Sequence, residues 1–298
     1  MSLLDSRSGS SGNGDDLARL EAGLDALDTH AATRQSRLRK AWSATWPPLV
    51  ALVLLVGVWQ LVYLSGIKQP YQLPSPGDVW TALREFASSG DLATAVFNSL
   101  RRGALGFAAS LAIGTPLGLL IARVRPVRRA IGPLISGLQS LPSVAWVPAM
   151  ILWFGLSDAA IYGVILLGAV PSIANGMVSG IDQIPPLYDR VGRVLGARGL
   201  TAARFVLLPA AMPGYVGGLR QGWAFSWRSL MAAELIARSP ELGLGLGQLL
   251  DQGRQLSDMS MVFAGIFTIL VVGIAVELCV FAPIERRVLR RRGLLATA

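Results

Sequence analysis

The chain is poor in the residues that build reactive centres. Its 298 residues include one cysteine, Cys279, and one histidine, His30, which excludes a disulfide framework, a zinc cluster and a Cys/His dyad. Charge is scarce too, with Asp, Glu, Lys and Arg together at 15%. What fills the chain is apolar: 52% of residues are hydrophobic and the mean hydropathy is +0.51, a balance that marks a membrane protein rather than a soluble domain. The formal net charge is +9. In a soluble chain that excess would suggest nucleic acid; here its distribution along the sequence reads as a topology signal, and no nucleic-acid partner is expected.

Residues 1–14 are a low-complexity run of Ser, Gly, Asp and Asn with little to bury and no apolar core of a cleavable signal. From Asp15, Leu17, Leu20, Leu24, Leu27 and Ala31 recur at helical spacing and predict a short amphipathic helix ending near Lys40. It is either a surface helix or a docking helix for a cytoplasmic partner. A span needs ~20 mainly apolar residues, and six stretches qualify: Pro47 to Ile67, Ser99 to Ala122, Ile131 to Gly155, Ala159 to Ile181, Pro213 to Ala237 and Met259 to Pro283. Most of the Arg and Lys fall at Arg34 to Lys40, Arg123 to Arg129, Arg190 to Arg204 and Arg286 to Arg292. Six crossings place all four clusters on one side, which the positive-inside rule makes the cytoplasm, with both termini there. The expected domains are a cytoplasmic tail over 1–45, a transmembrane domain over 46–292 and a short tail over 293–298.

Prolines interrupt the middle spans at Pro116, Pro142, Pro148 and Pro171. Each removes a backbone donor inside the bilayer, which is tolerated where protein or a wet cavity satisfies the freed carbonyl, so these helices are expected to surround a pathway. On the fifth span Arg220, Trp223, Trp227, Arg228, Met231 and Glu234 share an arc of roughly 140°, while Gly214, Gly218 and Gly222 form an opposite face suited to close packing. At ~1.5 Å per residue, Arg220 and Glu277 each lie about 10 Å from the inner end of their spans and are expected to pair as a structural ion pair. Arg228, about 22 Å up, has no carboxylate at its own depth. It is the candidate for meeting an anion, with Ser143, Trp146, Trp223, Trp227, Met231 and Glu234 as further candidates along the translocation pathway.

Between the fourth and fifth spans, about 182–212, lies a segment too polar to span and too patterned for a plain linker. Gly196 and Gly199 permit a sharp turn between two short helices, an elbow on the cytoplasmic face that ends at Leu208-Pro209. Gly196, Val206, Leu208 and Pro209 stand at the spacing of the coupling loop of binding-protein-dependent ABC importer permeases, which the chain resembles. Asp189, Arg190, Gly192 and Ala197 belong to the same loop, but the family's Glu-Ala-Ala is here Arg190-Val191-Gly192, with Asp189 adjacent. Three further stretches are similar to the sulfonate, nitrate and taurine branch, which includes bicarbonate and thiamine-precursor carriers. They are Leu73-Pro74-Ser75-Pro76, Leu141 to Pro148 followed by Trp153-Phe154-Gly155, and Ala232-Ala233-Glu234-Leu235.

The resemblance covers roughly Trp46 to Arg292. It implies an all-α membrane protein with six transmembrane helices and a cytoplasmic helical coupling loop, the type I ABC importer permease fold, in the cytoplasmic membrane of a prokaryote. It further implies a homodimer on two ABC ATPase subunits, fed by an extracytoplasmic substrate-binding protein. The chain itself has no Gly-x-x-x-x-Gly-Lys-Ser/Thr phosphate loop, and Gly243-Leu244-Gly245-Leu246-Gly247 lacks the Lys. No cofactor is expected on this chain; ATP and Mg belong to the ATPase partners. An intramembrane enzyme would need groups converging at one depth, which Glu234 and Glu277 do not do. The expected role is therefore transport of a small anion such as a sulfonate, taurine, nitrate or bicarbonate. A thiamine-precursor or other heterocyclic nutrient, or a non-transporting assembly role, are the alternatives.

Overall fold

Every element that positions the polar side chains is helical. The computed structural model describes residues 37–69, 71–237, 239 and 242–292, all helix, turn or loop. The chain divides into two units, Met1–Leu61 and Val62–Ala298. The amphipathic pattern at Leu17 to Ala31 lies outside the described residues. In the first unit the described part belongs to α1 (Arg37–Leu64), which is helical from its first described residue. Its apolar stretch, Leu49–Leu64, is shorter than the ~20 residues a span needs.

The second unit opens with α2 (Pro76–Ser89). The Leu73-Pro74-Ser75-Pro76 stretch is its start signal. The Ser75 hydroxyl accepts from the Asp78 N–H at 3.1 Å and the Asp78 carboxylate accepts from the Ser75 N–H at 3.1 Å, with Pro76 at the first helical position where its missing donor costs nothing. Then come α3 (Asp91–Arg123), α4 (Arg125–Ser140), a 3₁₀ turn (Ser143–Trp146) and α5 (Val147–Phe154). After them run α6 (Asp158–Asp182) and α7 (Pro186–Val194). Next are α8 (Gly199–Ala202) and α9 (Leu208–Ile236), followed by α10 (Leu246–Gln255), α11 (Met259–Val276) and α12 (Ala282–Arg291).

The centre of this unit is α6, held between α3 and α9. Close approach is set by missing side chains. A Cβ on Gly218 of α9 would sit 2.4 Å from the Gly176 Cα of α6, and one on Gly118 of α3 would sit 2.6 Å from the Ala174 carbonyl oxygen. Only hydrogen at those positions lets the backbones meet, the usual way membrane helices pack when apolar solvent gives no driving force. The glycine face Gly214, Gly218 and Gly222 meets Gly180, Gly176 and Ile173 of α6, so α9 is docked by that face.

Two expectations change. The stretch Ile131 to Gly155 is not one straight span: α4 and the segment Ser143–Phe154 bend by 98°. Pro142 disfavours helix for the residue before it, and Leu141 is extended at φ −80°, ψ 131°. Among the described residues three helices are long and apolar enough to cross a membrane, Asp91–Arg123, Asp158–Asp182 and Met259–Arg290, or four if the bent pair is one span. The expected fifth span is one 29-residue helix, α9, whose Arg220, Arg228 and Glu234 lower its hydropathy.

Two prolines act alike on two helices. Before Pro209 the chain widens into a π turn over Ala203–Leu207, and before Pro283 it does so over Glu277–Phe281. A proline offers no N–H to the preceding turn and its ring crowds the carbonyl four residues back, so the five-residue spacing relieves it.

Candidate functional site

The arc of α9 divides into a buried part and an exposed part. Trp223 and Trp227 are buried and stack with centroids 6.0 Å apart, and Phe107 of α3 meets Trp223 edge-on at 5.5 Å. Gly103 of α3 leaves room for both indoles. These tryptophans are core, and the structure does not bring them to the surface of a pathway. Their large apolar area and offset ring geometry hold α9 against α3.

Glu234 is also corrected. It is 0% exposed and sits inside a polar cluster that the sequence reading did not find. Arg102 of α3, 2% exposed, donates to Glu234 at 3.1 Å, to Asp158 of α6 at 2.8 Å and to the Leu242 carbonyl. The other Glu234 oxygen accepts from the Ser99 hydroxyl at 2.7 Å and the Gly247 N–H at 3.1 Å, and Ser99 in turn accepts from the Leu246 N–H at 2.9 Å. A Cβ on Gly245 would lie 2.7 Å from the carboxylate, and one on Gly247 would lie 2.6 Å from the Glu234 Cβ. Thus the glycine run after α9 is a wrap around a carboxylate rather than a phosphate cradle. A buried pair survives when its polar atoms find partners, and here each guanidinium nitrogen of Arg102 and both carboxylate oxygens of Glu234 have one. Two signals pointed this way: Arg102 lies in a predicted span, and three glycines alternate a few residues beyond an intramembrane Glu.

The exposed part of α9 carries Gly217, Gln221, Ala224 and Arg228 at spacings of four, three and four residues, one face of a helix. Arg228 donates from Nε to the Ala224 carbonyl at 3.1 Å and lies 4.7 Å over the Phe225 ring. Among the described residues no carboxylate reaches it. Met231 is half-buried beside this stripe, Ser143 and Trp146 are half-buried in the 3₁₀ turn, and Ser143 approaches α6 at Gly168, which also meets Ser229.

Towards the start of α9, Arg220 pairs with Glu277 and, at 2.7 Å, with Glu285. The second carboxylate was not expected: Glu285 follows the π turn at the end of α11, beyond where a regular helix would aim it.

The elbow is built from α7, the turn at Leu195 to Arg198 and the helix from Gly199. Gly196 at φ +81° and Gly199 at φ +53° occupy left-handed backbone that other residues adopt at a cost of ~1–2 kcal/mol. The Ala197 N–H closes the end of α7 by donating to the Gly192 carbonyl at 2.9 Å. Gly192 is buried against Val206, while Arg190 is exposed and Leu208 and Pro209 are half-buried. The Asp189 side chain lies outside the described set. A hollow of about 370 Å³ opens here, lined by Leu187, Tyr188, Val191, Phe205 and Pro209, and Arg292 donates to the Pro209 carbonyl. Leu187, Val194, Leu195 and Phe205 are exposed.

Residues 114–289 match the family model described as the binding-protein-dependent transport system inner membrane component, and the chain belongs to that family. It is 30% identical to the nitrate import permease protein of Synechocystis over 77% of this chain and 84% of that one. It is likewise 30% identical to the bicarbonate transport system permease protein of Synechococcus elongatus, over 82% and 89%. With the taurine transport system permease protein of Escherichia coli it shares 29% identity over 76% and 83%. Among solved structures, an inward-facing MetNI methionine ABC transporter chain superposes with a TM-score of 0.58 at 21% identity, covering 66% of this chain and 95% of that one. This likeness concerns the fold. The protein is a transport permease subunit and not an enzyme; in ABC importers the ATPase is a separate subunit.

Proposed function

We propose that this chain carries a small oxyanion, a sulfonate, nitrate or bicarbonate, into the cytoplasm as one half of a permease homodimer. It crosses the cytoplasmic membrane six times with both termini inside. Two ATPase subunits grip the elbow, and an extracytoplasmic binding protein delivers the solute. The observation that carries this reading is Arg228, an exposed guanidinium on a membrane helix, in a stripe with Gln221, Ala224 and Gly217 and, among the described residues, without a carboxylate. Facing lipid, that stripe would be costly; facing a wet path shared with a second copy, it offers donors that suit a planar or tetrahedral oxyanion. The names of the relatives, taurine, nitrate and bicarbonate carriers, agree with such a solute. Ser143, Trp146 and Met231 would line the same path. The apolar hollow and exposed leucines of the elbow supply the socket contacts for the ATPase, and the left-handed Gly196 sets its angle.

The test is uptake by the full complex in proteoliposomes with taurine, nitrate and bicarbonate offered separately. Arg228→Met should leave assembly and basal ATP hydrolysis intact and lower uptake of the cognate anion by orders of magnitude, with Arg228→Lys recovering part. An assembled Met variant with undiminished anion uptake overturns the role of Arg228, and uptake of a neutral or cationic heterocycle alone overturns the anion reading. Gly196→Val should hydrolyse ATP without matching uptake. Normal coupling in that variant would show that the elbow does not depend on this turn.

A further inference from the structure

The last helix carries a charged face that the transport reading does not use. On α12, Pro283, Arg286, Arg287 and Arg290 follow one another at three, one and three residues, the spacing of a single helix face, and together they line a hollow of about 430 Å³. All three arginines are exposed, and among the described residues no carboxylate pairs with them. The one acid of α12, Glu285, is held by Arg220 and so does not neutralise this face.

Its height relative to the membrane can be read from the helix itself. Asp258 caps the start of α11, accepting from the Met261 N–H at 3.1 Å, which puts that end at a polar surface. Helix then continues through the π turn into α12. At ~1.5 Å per residue it has risen about 40 Å when it reaches Arg286. The hydrocarbon layer is about 30 Å thick and the bilayer with its headgroups about 40–45 Å. The three guanidiniums therefore emerge where phosphodiesters lie, on a helix C-terminus whose dipole favours cations.

The geometry points to an anionic phospholipid headgroup site formed by Arg286, Arg287 and Arg290, with the lipid phosphate between the guanidiniums and the acyl chains along α11. The commitment to lipid rather than free phosphate rests on this height and on the apolar helix directly below. It rests also on α11 spanning the membrane, but not on which solute is carried.

The experiment uses the complete complex in nanodiscs and then in detergent, with native mass spectrometry reading the phospholipids retained per permease from a phosphatidylglycerol and phosphatidylcholine mixture. Wild type should retain phosphatidylglycerol preferentially. R286Q/R287Q/R290Q should weaken that retention by about a hundredfold, roughly fivefold per guanidinium, whereas K68Q/R84Q should not. Because the glutamine variant could misassemble, R286K/R287K/R290K is measured beside it and should keep most of the preference, since charge without the guanidinium fork remains. Equal retention by wild type and the glutamine variant overturns the site. So does loss of ATPase subunits from the glutamine variant with lipid retention unchanged, which would assign the face to a protein contact. Displacement of the lipid by millimolar inorganic phosphate would assign it to free phosphate instead. Uptake is recorded in parallel: a failed lipid result with anion uptake dependent on Arg228 leaves the transport reading standing, and the reverse result separates the two in the other direction.

Discussion

Glu234 and Arg228 lie less than two turns apart on α9, yet they belong to different kinds of environment. Glu234 is sealed by protein: a guanidinium from α3, a hydroxyl, and the backbone N–H of Gly247 at the start of α10, where neither Gly245 nor Gly247 has room for a side chain. Arg228 is open, and among the described residues it meets its own helix and a neighbouring ring. A charge enclosed on all sides can fix a fold but has no face left for a ligand, while an open one contributes little to folding and is available. The same helix thus separates stability from chemistry by the side on which each residue falls.

The comparison is broken most severely at the closed site. Glu234→Ala takes from buried Arg102 one of its two carboxylates and leaves the Ser99 hydroxyl and the Gly247 N–H without their acceptor; it should cost about 3–5 kcal/mol, seen as loss of folded permease in detergent melting. Arg102→Met combined with Glu234→Met should recover part of that loss, because the one carboxylate left without its partner, Asp158, is exposed to water. Simple additivity would mean that the pair does not act as a unit. Next in size is the helix contact beneath both sites. Gly176→Val forces a side chain into the Gly218 backbone and should lose about 1–3 kcal/mol or more, whereas Gly217→Ala, with nothing within 4 Å of its Cβ, should not. Arg220→Ala removes a cation from two carboxylates in a region 39% exposed on the arginine and 32% on Glu277, and about 1 kcal/mol is expected because water screens the pair. Smallest on folding is Arg228→Met, within about 0.5 kcal/mol; a large drop in its melting temperature would place Arg228 with Glu234 rather than opposite it.

Much of the architecture was legible in order along the chain. Hydropathy announced a helical membrane protein, and the spacing of Gly196, Val206, Leu208 and Pro209 announced the elbow, whose Gly196 does take the left-handed turn. The glycine face of α9 was readable as a packing face because a 100° step per residue places Gly214, Gly218 and Gly222 together. The same arithmetic misled for Trp223, Trp227 and Glu234. It correctly put them on one arc but carries no information about which helix covers that arc. Nor could it find Arg102, 132 residues before Glu234, or foresee that Glu285 would join Arg220 once a π turn had rotated the end of the helix. Pro142 signalled a break, but not a bend of 98°.

Sequence alone therefore determined what depends on neighbours along the chain: which stretches are apolar, where helices start, turn and widen at proline, and which residues share a face. Tertiary structure decided what depends on neighbours across space: which faces are closed by α3 and the start of α10, which charges find carboxylate partners, and which, Arg228 among them, find none among the described residues. The division is physical. Backbone geometry and hydropathy are local and repeat every few residues, whereas burial and charge pairing are set by segments more than a hundred residues apart meeting at a few ångströms.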